Sequence, residues 1–179
     1  MFGMHIWRHF CTITRHRHKT MAYCFRAGIP WRGLMHDLSK YGPTEFLQGA
    51  RHWQGIRSPN AKEREVKGFS EAWMHHKGRN RHHFEYWTDF STVENRYRPV
   101  AMPPVYFAEM LCDRVSASKV YKGAAYTDRS ALEYWLHEKE HVDAHPDTAA
   151  NIESYLTLLA EQGEKAFFKA LREFVHLNK

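Results

Sequence analysis

Apolar residues recur along the N-terminal half of the chain at steps of three and four, the spacing of one helix face, and histidines fall into the same phase. Over residues 13–27, His18, Met21, Ala22 and Phe25 share such a face. Gly28 ends that stretch, and Pro30 is suited to the first turn of a second helix, predicted over 31–39 with Leu34, Met35 and Leu38 inward. His36 and Asp37 lie in that buried turn. Tyr41-Gly42-Pro43-Thr44 reads as a turn before a helix carrying Phe46, Leu47 and Ala50 to Trp53. A polar loop is expected over 54–62. A helix over 63–76 follows, whose stripe of Val66, Phe69, Trp73 and His76 ends on another histidine.

Gly78 breaks that helix. Residues 79–87 read as a loop and a helical turn, and 88–104 as an irregular crossing with room for one short hairpin. Pro104 opens a helix with Tyr106, Met110, Asp113, Ala117 and Val120 on one face, closed by Gly123. Asp128 caps a helix through Trp135 to about His141, and His145-Pro146-Asp147 opens a last pair split near Gly163. No repeat or domain boundary appears. The expectation is one all-α domain over 1–179, with a chemical core at about 13–122 and packing helices at about 128–177.

The 179 residues are 43% apolar, enough to bury a core without staples. Cys11, Cys24 and Cys112 are odd in number and lack paired spacing, which argues against a disulfide framework and a zinc ribbon and favours a reducing, cytoplasmic setting. No apolar run reaches the roughly 20 residues of a membrane span, and residues 1–10 lack signal-peptide layout, so no membrane partner is expected. A formal charge of +6 favours anionic partners, whether nucleotides, phosphate esters or nucleic acid. A glycine-rich phosphate loop, a dinucleotide fingerprint, a Gly-x-Ser-x-Gly elbow and a His-Glu-x-x-His helix are all absent.

Fourteen histidines, clustered and in phase with apolar residues, carry the chemistry. A buried carboxylate such as Asp113 needs a counter-charge or a metal, and imidazole with carboxylate suits manganese, iron, cobalt, nickel or zinc. The order of His18, then His36-Asp37, then a histidine, then Asp113 resembles the HD superfamily of helical metal-dependent phosphohydrolases. That resemblance implies an HD-like helical bundle holding one or two divalent ions. In it His18, His36, Asp37 and Asp113 are ligands, and Asp37 bridges if two ions bind. The strings Arg17-His18-Lys19, His36-Asp-Leu-Ser-Lys40, Pro43-Thr-Glu-Phe46, Ala72-Trp-Met-His-His-Lys77, Arg79-Asn-Arg-His-His83, Glu85-Tyr-Trp87 and Met102-Pro103 also resemble a family of small bacterial and phage proteins with no assigned function.

The pairs His75-His76 and His82-His83 exceed the simple HD pattern. Adjacent helical residues diverge by about 100°, so the stripe favours His76 over His75, and His83 is preferred in the second pair. Lys40, Arg79, Asn80 and Arg81 are candidates for holding phosphate, with Asp37 and Lys40 at the reacting group, and Arg15, Arg17 and Lys19 for a pocket rim. Glu45 and Glu85 are candidate proton-transfer groups or surface partners of arginines. The tryptophans and tyrosines near basic residues read mainly as core. The implied activity is hydrolysis of a nucleotide or other small phosphate ester by a metal-activated water. Two alternatives stay open: an HD-type di-iron oxygenase, and a basic helical protein that binds nucleic acid or a nucleotide without turnover.

Overall fold

In the computed structural model, which describes residues 2–178, the chain is predominantly α-helical with one small hairpin. The helices are α1 (Phe2–Arg26), α2 (Pro30–Met35), α3 (Pro43–His52), α4 (Pro59–Lys67), α5 (Glu71–Lys77), α6 (Pro104–Lys122), α7 (Ser130–Glu138) and α8 (Pro146–Leu177). Strands β1 (Thr88–Ser91) and β2 (Arg96–Pro99) pair antiparallel, Thr88 opposite Pro99. Pro30, Pro43, Pro59, Pro104 and Pro146 all stand in first helical turns, where a missing N–H costs nothing. Gly163, at φ 76°, interrupts α8, so the expected pair of terminal helices is one long element with a break.

Two halves meet along α6, whose middle is buried on nearly every side from Phe107 to Cys112. Toward α7 and α8 the interior is apolar, built on Met110, Leu111, Trp135, Ile152, Leu156, Leu159, Phe167 and Leu171. Toward α1, α3 and α5 the buried residues include His9, His16, His36, Asp37, Glu45, His76, His82 and Glu109. That half has a polar interior. Among the described residues, no helix is long and apolar enough to cross a membrane.

Three local expectations change. The inward face of α1 is Ile13, His16, Thr20 and Cys24, whereas His18, Ala22 and Phe25 are exposed. The predicted helix over 63–76 is two helices. Gly68 at φ 81° ends α4, Ser70 caps α5 by accepting from the Trp73 N–H, and Val66 and Phe69 face outward. Helix α2 stops at Met35, and Leu34, Met35 and Leu38 are exposed. Asp37 takes a left-handed conformation (φ 56°), uncommon for a residue with a side chain and commonest for Asn and Asp.

Candidate metal centre

The left-handed turn lets two consecutive side chains point into one site, which a continued helix would forbid. Arg17 holds the turn from α1: its Nε donates to the His36 carbonyl at 3.1 Å and its Nη2 to the Leu34 carbonyl. Arg17 therefore braces the site's backbone and is not part of a pocket rim.

The Asp37 carboxylate sits at the centre of the cluster. Its Oδ2 faces His36 Nε2 at 3.3 Å and His16 Nε2 at 3.5 Å, while Oδ1 faces His76 Nε2 at 3.3 Å and His82 Nε2 at 3.4 Å. Asp113 Oδ1 lies 2.8 Å from His16 Nε2 and 3.5 Å from His36 Nε2. Two groups of metal-capable donors result, each with its atoms within 4.8 Å of one another: His16, His36, Asp37 and Asp113; and Asp37, His76, His82 and His83. They share Asp37. A third group, His36, His82 and Glu109, lies behind them.

These donors lie against one another and, at Asp37 Oδ2, against the Lys40 ammonium, but without well-aligned hydrogen bonds. Among the described residues, both Asp37 oxygens and the Nε2 atoms of His16, His36, His76, His82 and His83 are buried without a hydrogen bond. An unsatisfied buried polar group costs about 1–3 kcal/mol, so this concentration around one carboxylate fits residues awaiting a cation. The opposite ring nitrogens of His36 and His76 are hydrogen-bonded, and that of His82 lies near a carboxylate. Glu109 Oε1 lies 3.0 Å from His36 Nδ1 and 3.3 Å from His82 Nδ1, while its Oε2 accepts from Arg32 Nε at 2.6 Å. Glu45 Oε2 binds His76 Nδ1 at 2.7 Å and Oε1 binds His75 Nδ1 at 2.7 Å. A carboxylate on Nδ1 turns Nε2 toward the ion and raises its basicity, the usual arrangement behind metal-binding histidines.

With the imidazoles neutral, the carboxylates of Asp37, Glu45, Glu109 and Asp113 outnumber the nearby cations Lys40 and Arg32. Burial opposes charge on His36, but Asp37, Asp113 and Glu109 outweigh it and hold that imidazole well above its ordinary range. Burial would also raise the Glu109 carboxyl, yet its bonds to His36 and His82 bring it down to about 2. Lys40 Nζ stands 2.6 Å from Asp37 Oδ2, and although burial disfavours its charge, Asp37 and Asp113 keep it firmly protonated. Burial, by contrast, pushes the His76 and His83 imidazoles down, toward the neutral form that binds a metal; buried His/Asp/Glu groups of this kind can hold a metal ion.

The expected ligand set is gathered with one substitution. His36, Asp37, His76, His83 and Asp113 converge, and His16 stands where His18 was expected, because α1 presents His16 inward and His18 to solvent. His82 joins beside His83. Both lie outside any helix, so adjacency does not separate them, whereas helical His75 and His76 diverge and only His76 reaches Asp37. The three other candidate phosphate binders, Asn80, Arg79 and Arg81, make contacts within the protein. Asn80 donates to Ser39 Oγ and to the His76 carbonyl, tying α5 to the His36-Asp37 turn. Exposed Arg79 reaches back to the His75 carbonyl, and exposed Arg81 binds Tyr106 Oη. Glu109 was not foreseen, although it lies four residues before Asp113 and so on the same face of α6.

A family profile matches residues 5–158, a span that contains every member of this cluster. The chain belongs to the family of unknown function DUF5662. No curated protein and no solved structure matches it. Membership therefore brings no activity with it, and a functional reading of this DUF5662 chain stands on the geometry of its cluster.

Proposed function

We propose that the protein is a metal-dependent phosphohydrolase of the HD type, acting on a nucleotide or another small phosphate ester. The observation that carries this reading is the division of Asp37, one oxygen toward His16 and His36 and the other toward His76 and His82. Such a carboxylate would serve two ions, with His16, His36 and Asp113 there to hold one and His76, His82 and His83 the other. Bound there, divalent ions would supply a Lewis acid for a phosphoryl oxygen and lower the pKa of the attacking water.

The exposure of the side chains supports one direction of approach for a substrate. Side chains of His36, Asp37, His76, His82 and Glu109 are at most 3% exposed, whereas His16 is 9%, Asp113 14% and Lys40 28% exposed. The cluster is open on the His16, Asp113 and Lys40 edge. A phosphate arriving there meets the Lys40 ammonium, which offsets its charge and orients it, while Glu109 and Glu45 keep the imidazoles in one tautomer. Reconstitution of metal-stripped protein with manganese, iron, cobalt, nickel or zinc, followed by phosphate release from a panel of nucleotides and phosphomonoesters, tests the reading. Hydrolysis that Asp37→Asn abolishes supports it, and no hydrolysis with any metal overturns it.

One observation favours a second reading. Five imidazoles converge on the shared carboxylate, more nitrogen donors than phosphate hydrolysis requires, and such a set also suits a two-iron centre that activates oxygen. Iron retained on aerobic purification, with oxygen consumption in the presence of an organic phosphonate or polyol, would favour it.

A further inference from the structure

A cavity of about 310 Å³ is lined by Trp7, Arg8, Cys11, Thr12, Arg15, Trp53, Gly55 and Val120. Arg8, Cys11, Thr12 and Arg15 follow one another along α1 at steps of three, one and three, a stripe next to the buried face that carries His16. Thr12 precedes His16 by four residues, about 6 Å, and Val120 follows Asp113 by seven residues, about 10 Å along α6. The cavity is thus bordered by α1 and α6, the two helices that carry His16 and Asp113.

The lining is planar and cationic. Trp53 is fixed by its Nε1, which donates to Thr12 Oγ1 at 3.2 Å, and the Arg8 guanidinium lies 5.6 Å from its ring centre. Gly55 leaves room for that indole, because a Cβ there would come within 3.0 Å of the Trp53 ring. Trp7 stacks on Phe10 and remains 67% exposed. Among the described residues, neither Arg8 nor Arg15 has a carboxylate within 4.0 Å, so both guanidinium charges are available to an anion. Indoles and unpaired arginines at the low end of the roughly 300–1,000 Å³ range of ligand sites suit one flat, electron-rich ring system attached to an anionic group.

We propose that this cavity holds the base of a nucleoside monophosphate whose phosphate lies at the His16, Asp113 and Lys40 edge, the sugar spanning the turn between. The proposal deepens the phosphohydrolase reading and rests on it for the position of the phosphate. Adenosine 5′-monophosphate and ribose 5-phosphate differ by the base alone, so their comparison isolates the cavity. Stacking of one base is worth about 1–3 kcal/mol, a factor of roughly 5–150.

In the metal-loaded full chain, kcat/KM is measured for both compounds, and, under metals that support no turnover, calorimetry follows their binding instead. We expect adenosine 5′-monophosphate to be favoured at least fivefold, and the preference to fall to within about twofold in Trp7→Ala and in the double variant Arg8→Ala, Arg15→Ala. Trp7 is largely exposed, so its loss leaves the fold in place; circular dichroism checks this. Equal use of both compounds by the wild-type protein, or a preference that survives these substitutions, overturns the cavity assignment and leaves the hydrolase reading standing. Calorimetric preference for the nucleotide, lost in the variants, with no hydrolysis under any metal, overturns the hydrolase reading and retains the cavity as a nucleotide site. Neither hydrolysis nor binding overturns both.

Discussion

Glu109→Gln is the most searching substitution, because it keeps the volume of a fully buried side chain and removes only its charge and one acceptor. In the native protein one oxygen faces His36 Nδ1 and His82 Nδ1, at 3.0 and 3.3 Å, and the other accepts from Arg32 at 2.6 Å. All three partners are donors when Nε2 is the metal-binding nitrogen. A glutamine has one acceptor oxygen and one donating amide nitrogen, so satisfying both imidazoles places an N–H against Arg32, and satisfying Arg32 places it against the imidazoles. Either way a charge-assisted hydrogen bond is lost, and the imidazoles lose the anion that sharpens their Nε2 basicity. Loss of such a supporting group typically lowers metal affinity 10–100-fold, about 1.4–2.7 kcal/mol. The assay is competition for a divalent ion between the metal-stripped protein and a chelating dye, with thermal melts by circular dichroism to establish that both proteins are folded. Glu45→Gln, acting through His76, should give a loss of the same order. A folded Glu109→Gln protein that binds the ion within twofold of wild type would refute the view that this carboxylate orients the ligands.

His16→Ala should lower metal affinity by at least tenfold while His18→Ala leaves it unchanged, as metal analysis after dialysis against a buffered ion would show; the reverse pattern would return the first ligand to His18. Lys40→Ala should raise KM for a phosphate ester several-fold with metal content near normal, since its ammonium lies at the open edge and is not an ion ligand. Burial would raise the Glu164 carboxyl, but Lys119, Arg26 and Tyr23 outweigh it and bring it to about 2. This depressed value contributes stability that is present above the unfolded value near 4.5 and disappears as pH falls through about 2. Discounted for solvent access, Glu164→Gln should cost about 1–2 kcal/mol at pH 7 and progressively less below pH 4 in urea titrations, and a pH-independent difference would contradict the assignment. Gly49→Ala would place a Cβ 2.3 Å from His9 Nε2 where α3 crosses α1, and should cost about 1–3 kcal/mol through overpacking, seen as a melting point lower by several degrees.

The helical course of the chain was largely legible because its punctuation is local. Gly28 with Pro30, Pro43, Pro104, Gly123 and the break at Gly163 mark ends that depend on φ alone, and these fall where expected. The predicted helix over 63–76 failed for a related reason. Gly68 and Ser70 are the C-terminal cap of one helix and the N-terminal cap of the next, and two caps within three residues look like ordinary helical positions when Val66, Phe69 and Trp73 keep the period on either side. At Met35, nothing local announces the end of α2. The chain leaves the helix there because Arg17, far away in sequence, takes the carbonyls of Leu34 and His36.

His18, expected as a ligand, and Glu109, not foreseen, fail for a common physical reason. Helix phase was read by assuming that the inward face is the apolar one, and on α1 that rule selects Met21, Ala22 and Phe25. The face that is buried instead carries His9, His16 and Thr20, because it lines a polar interior. Where an interior is built to neutralise charge, hydrophobicity loses its power to say which side is in. The better guide is the donor that must pair with the next donor. Once Asp113 is placed inward, the acid four residues before it, Glu109, is inward as well, and its two oxygens then require donors, which His36, His82 and Arg32 supply. The same logic makes His36-Asp37 legible in the amino-acid order, since two adjacent chelating residues can converge only where the helix has ended. The orphaned Nε2 atoms and the divided Asp37 carboxylate follow from that one turn. A substitution that let α2 continue past Met35 would therefore swing Asp37 away from the histidines and disperse both donor groups.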